Sequence, residues 1–220
     1  MMIQAKSLKK ISALTISRVI FLLPLTMMSY TSLAEDLSPV SDLGTENTLS
    51  IFQQGFSNQA EVVQQGETNQ ASVSQQSDQA STTIFQSGQQ LNIEFQQQGS
   101  DSRANISQMG SAHSFTGIQN GMGHELSLTQ NGLAQHSQLQ QSGEFNHAEL
   151  SQAGMENLLI LIQNGQNNQA HIHQTGHANQ ADIQQLGDSN LVNVYQQGNE
   201  LQAVVIQNGN NLRTDIWQSQ

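Results

Sequence analysis

The 220-residue chain is only 35% hydrophobic and 10% charged, carries a formal net charge of -11, has a mean hydropathy of -0.44 and contains no cysteine. So few apolar residues exclude a conventional globular core of this length, and so few charges exclude a solvated coil. Abundant Gln and Asn with little charge point instead to β-assembly. The absence of cysteine excludes a disulfide framework and a thiolate metal site.

At the N-terminus, Lys6, Lys9, Lys10 and Arg18 precede an apolar run from Val19 to Tyr30, and Ser32-Leu33-Ala34 supplies small residues where a signal peptidase cuts. Residues 1–34 therefore read as a cleavable secretory signal; a transmembrane anchor is disfavoured because the run is shorter than the ~20 residues that span a bilayer. Residues 35–46 form a short N-terminal segment, and residues 47–220 a repeat region. Without residues 1–34, all 17 acidic residues remain against Arg103 and Arg213, a net charge of -15. With no lysine left, there is no basic footprint for nucleic acid.

The repeat announces itself in QQGFSNQAEVVQQGETNQASVSQQ, from Gln53 to Gln76, which states QxGxxNxAxΦxQ twice, Φ being apolar. Glycines stand on an 11-residue grid at Gly44 and then at Gly55, Gly66, Gly88, Gly99, Gly110, Gly121, Gly132, Gly143, Gly154, Gly165, Gly176, Gly187, Gly198 and Gly209, with Ser77 in the one empty slot before the C-terminus. Two residues before each slot from 55 onward stands a glutamine: Gln53, Gln64, Gln75, Gln86, Gln97, Gln108, Gln119, Gln130, Gln141, Gln152, Gln163, Gln174, Gln185, Gln196, Gln207 and Gln218. Asn58, Asn69, Asn146, Asn157, Asn168, Asn179 and Asn190 recur six residues before a ladder glutamine. Self-similarity this regular decides the architecture.

An 11-residue period suits either a right-handed helical coiled coil or a solenoid of strands. Asn, a small residue, Φ and Gln are spaced by two, which is strand spacing. Each grid glycine would cost a helix about 1 kcal/mol, whereas a tight turn uses positive φ freely. The expectation is an all-β, amyloid-like, two-sheet β-solenoid of 11-residue units, each a strand of five or six residues closed by a Gly turn, with Asn, Ala, Φ and Gln facing inward. Stacked copies of each amide, about 4.8 Å apart, would bond to one another. Glu61 and Glu94, Glu149 and Asp182, and Asp182 and Asp215 stand three units apart, whereas no acidic pair of the repeat region stands two units apart. Like charges stacked directly are unfavourable, so a two-unit rung of about 22 residues is favoured over a three-unit one. Eight such rungs would span about 38 Å.

These units resemble the repeats of curlins, the subunits of curli amyloid fibres, from Asn47 to Gln220. The resemblance implies a two-sheet β-solenoid secreted by a Gram-negative bacterium through a dedicated outer-membrane pore with accessory factors. It also implies assembly with other curlin subunits into cell-surface fibres that support adhesion and biofilm formation. Both half-units carry the Gln-Gly turn, only EDLSPVSDLGTE precedes the repeats, and NNLRTDIWQSQ departs from the Gly pattern. These features are similar to the minor, nucleating subunit; the many units and the lack of basic residues in the last repeats fit the major subunit instead. A monomeric secreted adhesin or surface binder is the alternative from another class. The expected polymerisation edge is the last unit, with Arg213, Asp215, Ile216 and Trp217.

The side motifs point to no enzyme: acidic residues are scattered rather than clustered, so there are no catalytic candidates, no cofactor and no small-molecule substrate. His171, His173 and His177 in HIHQTGH invite a metal-site reading, because His171 and His173 share the outward face of one strand, but they read as solvated surface histidines, because no carboxylate or fourth ligand is fixed beside them. Gly117 breaks the apolar ladder, either as a hinge or as a lapse flanked by Phe115 and Ile118. In LLILI, Leu158, Ile160 and Ile162 face outward as a strong rung or a contact patch, and Val204, Ile206 and Trp217 make a similar outward set.

Overall fold

The structure, a computed structural model, describes residues 40–220, with side chains from Thr45 onward. The expected secretory signal and the first residues of the 35–46 segment lie outside the described residues. The chain zigzags through β1 (Val40–Thr45), β2 (Thr48–Gln54), β3 (Gln59–Glu67), β4 (Gln70–Asp78), β5 (Ser81–Gln89) and β6 (Asn92–Ser100). It continues through β7 (Arg103–Ser111), β8 (Ser114–Met122), β9 (Glu125–Leu133), β10 (His136–Glu144), β11 (His147–Met155) and β12 (Leu158–Gln166). The last strands are β13 (Gln169–His177), β14 (Gln180–Leu186), β15 (Leu191–Asn199), β16 (Gln202–Asn208) and β17 (Arg213–Ser219).

Odd-numbered strands form a nine-stranded sheet and even-numbered strands an eight-stranded sheet, each in simple order. Every pairing is parallel, and each strand residue faces its counterpart two units on, as Gln64 faces Gln86 and Gln163 faces Gln185. The chain is thus a two-sheet β-solenoid with two units to the rung, one strand in each sheet. Acidic residues stack on neutral or basic partners: Glu61 on Thr83, Glu94 on Thr116, Glu125 on Arg103 and His147.

Period-two patterning builds the core. The nine-stranded sheet contributes Val62, Ile84, Ile106, Leu128, Leu150, Ile172 and Val194, all buried; the eight-stranded sheet contributes Val73, Phe95, Leu139, Leu161, Ile183 and Val205. Burying each such side chain contributes about 1.5–3 kcal/mol. At Gly117 the apolar slot is empty, and Phe115, buried in the neighbouring small-residue slot, fills it: a Cβ on Gly117 would lie 2.5 Å from the Phe115 ring and 2.8 Å from that of Phe95. The two rings stack with centroids 6.1 Å apart. Ile118 does not share in the filling, since it points out and is 38% exposed. The Gly117 position is therefore a volume exchange with its neighbour, not a gap.

The strands are longer than the sequence suggests. β3 to β13 and β15 each run nine residues, through the grid position and one beyond. Stacked glycines keep the register, as Gly66 opposite Gly88, while adopting positive φ (106° and 148°). A Cβ on Gly66 would lie 2.0 Å from the Gly88 carbonyl oxygen, so the close approach of successive rungs and the backbone angle both demand glycine. Ser77 fills such a slot without positive φ, its hydroxyl donating to Asn58 Oδ1 at 3.1 Å. The chain reverses two residues after each grid position, at a left-handed residue that is hardly ever glycine: Ser57, Thr68, Gln79, Gln90 and so on to Asn211, all with φ of 53–66°. From Thr68 on, each such residue donates its N–H to the rung before, as Gln79 N to Phe56 O at 2.8 Å. That stacking bond offsets a conformation costing roughly 1–2 kcal/mol.

Candidate functional site

Two glutamine ladders run the length of the core. In the nine-stranded sheet Nε2 of Gln64, Gln86, Gln108, Gln130, Gln152, Gln174 and Gln196 each donates to Oε1 of the glutamine one rung on, ending at Gln218, at 2.7–3.0 Å. In the eight-stranded sheet Gln53, Gln75, Gln97, Gln119, Gln141, Gln163 and Gln185 do the same, ending at Gln207, at 2.7–2.9 Å. The second amide hydrogen mostly reaches a backbone carbonyl on the opposite sheet, as Gln163 to His147 O and Gln185 to Gln169 O, both 3.0 Å. Every bond points one way, so amide donors face the C-terminal rung and amide acceptors the N-terminal one. Each bond contributes about 0.5–1.5 kcal/mol, but a buried amide left unpaired costs about 1–3, which makes the ladder reward continuity.

The corner slot carries a second ladder. Asn157 Nδ2 donates to Ala153 O at 3.1 Å and Gly176 O at 3.2 Å, closing its own turn and bracing the next, while its Oδ1 accepts from Asn179 N at 2.9 Å. Asn69, Asn146 and Asn179 use the same three bonds. Asn58 does too, donating to Gln54 O and Ser77 O and accepting from Ala80 N. Asn168 and Asn190 brace the glycine turn of the next rung and accept from the asparagine or leucine above.

Sequence reasoning missed that His113 and His124 occupy this slot. His113 Nε2 meets Met109 O at 2.9 Å and its Nδ1 accepts from Gln135 N at 3.1 Å; His124 Nε2 meets Asn120 O at 3.1 Å and its Nδ1 accepts from Asn146 N at 3.3 Å. Only the neutral Nε2–H tautomer does both, and it then copies the asparagine. Burial pushes both pKa values below the ordinary histidine value, against the upward pull of the carbonyl bonds. The signal was the slot number, since both histidines fall on the grid of the asparagine series.

The expected polymerisation edge lies on β17, which pairs on one side only, with β15, among the described residues. Arg213, Asp215 and Trp217 point out, whereas Ile216 packs on the core and Gln218 completes its ladder. Arg213 Nε meets Asp215 Oδ2 at 2.9 Å and Asn193 Nδ2 donates to Asp215 Oδ1 at 2.6 Å; these bonds, Arg213 first, hold the carboxyl below its ordinary pKa. Trp217, 73% exposed, stacks on Tyr195 with ring centroids 4.1 Å apart, and Tyr195 in turn lies over His173 at 6.4 Å. Val204 and Ile206 do not share this face, because β16 belongs to the other sheet. Outward Leu158, Ile160 and Ile162 are only half-buried.

The reading of HIHQTGH needs correction, because neighbouring rungs do bring carboxylates beside its histidines. Glu149 Oε2 lies 3.1 Å from His171 Nδ1, and Glu156 Oε2 lies 3.4 Å from His177 Nε2. Only His173 lacks one, meeting Thr175 Oγ1 at 3.0 Å. A carboxylate two residues away along the strand is what single-strand reading looks for; here it comes from the rung before.

Among curated proteins no match is found. The Curlin associated repeat family matches the chain at residues 44–76, 99–132, 154–187 and 187–219. The unmatched stretches between them hold strands of the same register and burial, including β10 and β11. Matched over more than half its length by four copies of a repeat whose glutamines, glycines and asparagines build its ladders, the chain belongs to the curlin-repeat family.

Proposed function

We propose that the chain is a structural subunit of extracellular curli fibres and, within them, the minor subunit that nucleates polymerisation of the major one at the surface of a Gram-negative cell. In that role it supports adhesion and biofilm formation, is exported through the curli pore with its accessory factors, and performs no catalysis. The observation that carries the reading is the one-way run of both glutamine ladders. Stacked end to end, two copies bring the donor of Gln207 to the acceptor of Gln53. Such a head-to-tail contact does not close on itself, so it propagates as a fibre. The same stacking sets β3 of the next copy against β17, which requires β1 to leave that edge. Arg213, Asp215, Ile216 and Trp217 then form the growing face.

The number and evenness of the units favour a second reading, the major subunit. Seeding separates the two: substoichiometric amounts of the nucleator shorten the lag of the co-expressed major subunit, and a major subunit alone builds fibre mass without that effect. A chain that stays monomeric and dye-negative after dilution from denaturant would instead be a secreted surface binder, and both fibre readings would fall.

A further inference from the structure

Three outward side chains on the nine-stranded sheet converge in a way that neither the ladders nor the expected growing face uses. β11 carries His147 and Glu149 two residues apart on one face, and β13 places His171 in register with Glu149. Each of the three offers one ligand atom, and these atoms lie within 4.8 Å of one another. His171 Nδ1 is 3.1 Å from Glu149 Oε2, and the two imidazole rings stand 5.7 Å apart, tilted by 52°. On the far side of His147, Glu125 Oε2 from β9 lies 3.2 Å from Nδ1, and Glu125 has Arg103 of β7 as its other register neighbour. Both histidines are about one-third exposed, so a solvated ion reaches them directly.

We propose that His147, Glu149 and His171 form a site for a borderline divalent transition-metal ion of the zinc class. Two imidazoles and one carboxylate are the donor set such ions prefer, whereas hard cations such as calcium select all-oxygen cages. Bonds of ~2.0–2.1 Å in a tetrahedron need ligand atoms about 3.3 Å apart. Side-chain torsions alone close the present spacing, because parallel strands fix the three backbones. Water fills the open position. Glu125 is the outer partner: it accepts from the ring nitrogen of His147 that does not bind the metal, and so orients the ring. The site needs β11 and β13 stacked in their observed register, so it exists only in the folded solenoid and does not depend on which subunit role the chain plays.

Zn2+ alone is the probe, titrated into the full chain in competition with a chromophoric chelator near neutral pH. The expected result is saturable binding of one ion per chain, indifferent to excess Ca2+. Affinity should weaken by at least about tenfold in Glu125→Gln and by more in His171→Gln or Glu149→Gln, and stay unchanged in His136→Gln, an exposed histidine on the other sheet. On the unaltered protein, Zn2+ should shield His147 and His171, but not His136, from acylation by diethylpyrocarbonate, a readout that needs no variant to fold. No saturable binding, equal loss in His136→Gln, or equal acylation with and without Zn2+ overturns the site.

Discussion

The rungs from Asn146 to Asn190 and the stretch from Ser102 to Gln135 have the same strands, register and glutamine ladders, yet their corners are built from different chemistry. The first has asparagine in five successive corner slots; the second has Ser102, His113, His124 and Gln135. What the slot requires is a donor aimed at the carbonyl closing its own turn and an acceptor for the corner N–H of the next rung. Asparagine meets both. Neutral histidine meets both, and serine supplies the acceptor, as Ser102 Oγ accepts from His124 N at 3.2 Å. Gln135 is one methylene too long: its Nε2 donates to Asn131 O at 2.7 Å and Gly154 O at 3.1 Å, but its Oε1 is the one buried side-chain polar atom among the described residues without a partner. Fold is therefore insensitive to corner identity, whereas local stability is not.

The largest expected effect comes from the glycine grid of the asparagine-cornered region, set against the off-grid Gly117 of the other. In Gly165→Ala the new Cβ would meet the Gly187 carbonyl oxygen at 2.1 Å at a φ of +131°, so a loss of about 3–5 kcal/mol is expected. Gly117→Ala presses only on phenylalanine rings and should lose about 1–3 kcal/mol. Denaturant midpoints of the two variants compare rigid backbone with movable side chain; equal losses would show that ring packing is as unyielding as the stacked backbone.

Next comes the ladder in the regular region. Replacing Gln163 and Gln185 together by leucine removes the bond between them and leaves the amides of Gln141 and Gln207 facing apolar groups, at about 1–3 kcal/mol for each unpaired group. Leucine buries well, so solubility need not rise, but ordered fibres should form more slowly. An unchanged lag and cross-β pattern would mean that volume, not the amides, sets register.

Acid should distinguish the two stretches. His113 and His124 have folded pKa values below the unfolded one, so the unfolded chain takes up their protons first. Their contribution is complete above the ordinary histidine pKa of about 6.5 and declines as pH falls through the lowered values. Protonation puts a hydrogen on each Nδ1, which already faces a backbone N–H, and at His113 adds repulsion from His136. Amide exchange across 102–135 should rise below about pH 6.5 more than across 146–190, and His113→Asn with His124→Asn should abolish the difference. An acid response that survives in the double variant would locate it elsewhere.

The smallest effect is a gain. Gln135→Asn should bring a side-chain oxygen within reach of Asn157 N and stabilise the stretch by about 1 kcal/mol, read as a raised denaturant midpoint. A lowered midpoint would show that the slot at 135 has adapted to the longer side chain.

Much of the fold was legible because glycine, glutamine and Φ each occupy a fixed grid, and the spacing of acidic residues chose two units per rung over three. The left-handed corner residues were not. That slot holds Ser57, Thr68, Ala112 and Phe145, with only Asp101, Asn167, Asn211 and Gly123 of the types that favour such angles, since rung-to-rung bonds override local preference. Glu149 beside His171 was implied by the two-unit register but invisible within one strand. His113 and His124 were hidden by expecting a residue type where the slot asks only for a donor and an acceptor.

The most direct test of head-to-tail ladder growth is solid-state NMR of fibres grown from an equal mixture of chains labelled with 15N and chains labelled with 13C. Transfer between labels reports only contacts between copies. The expected signals are confined to the joint, where β16 meets β2 and β17 meets β3 of the next copy, and include the side chains of Gln207 with Gln53 and of Gln218 with Gln64, those of β17 appearing once β1 has left the edge. Intermolecular transfer between identical residues throughout the repeat region, as separate copies stacked flat in register would give, would contradict it.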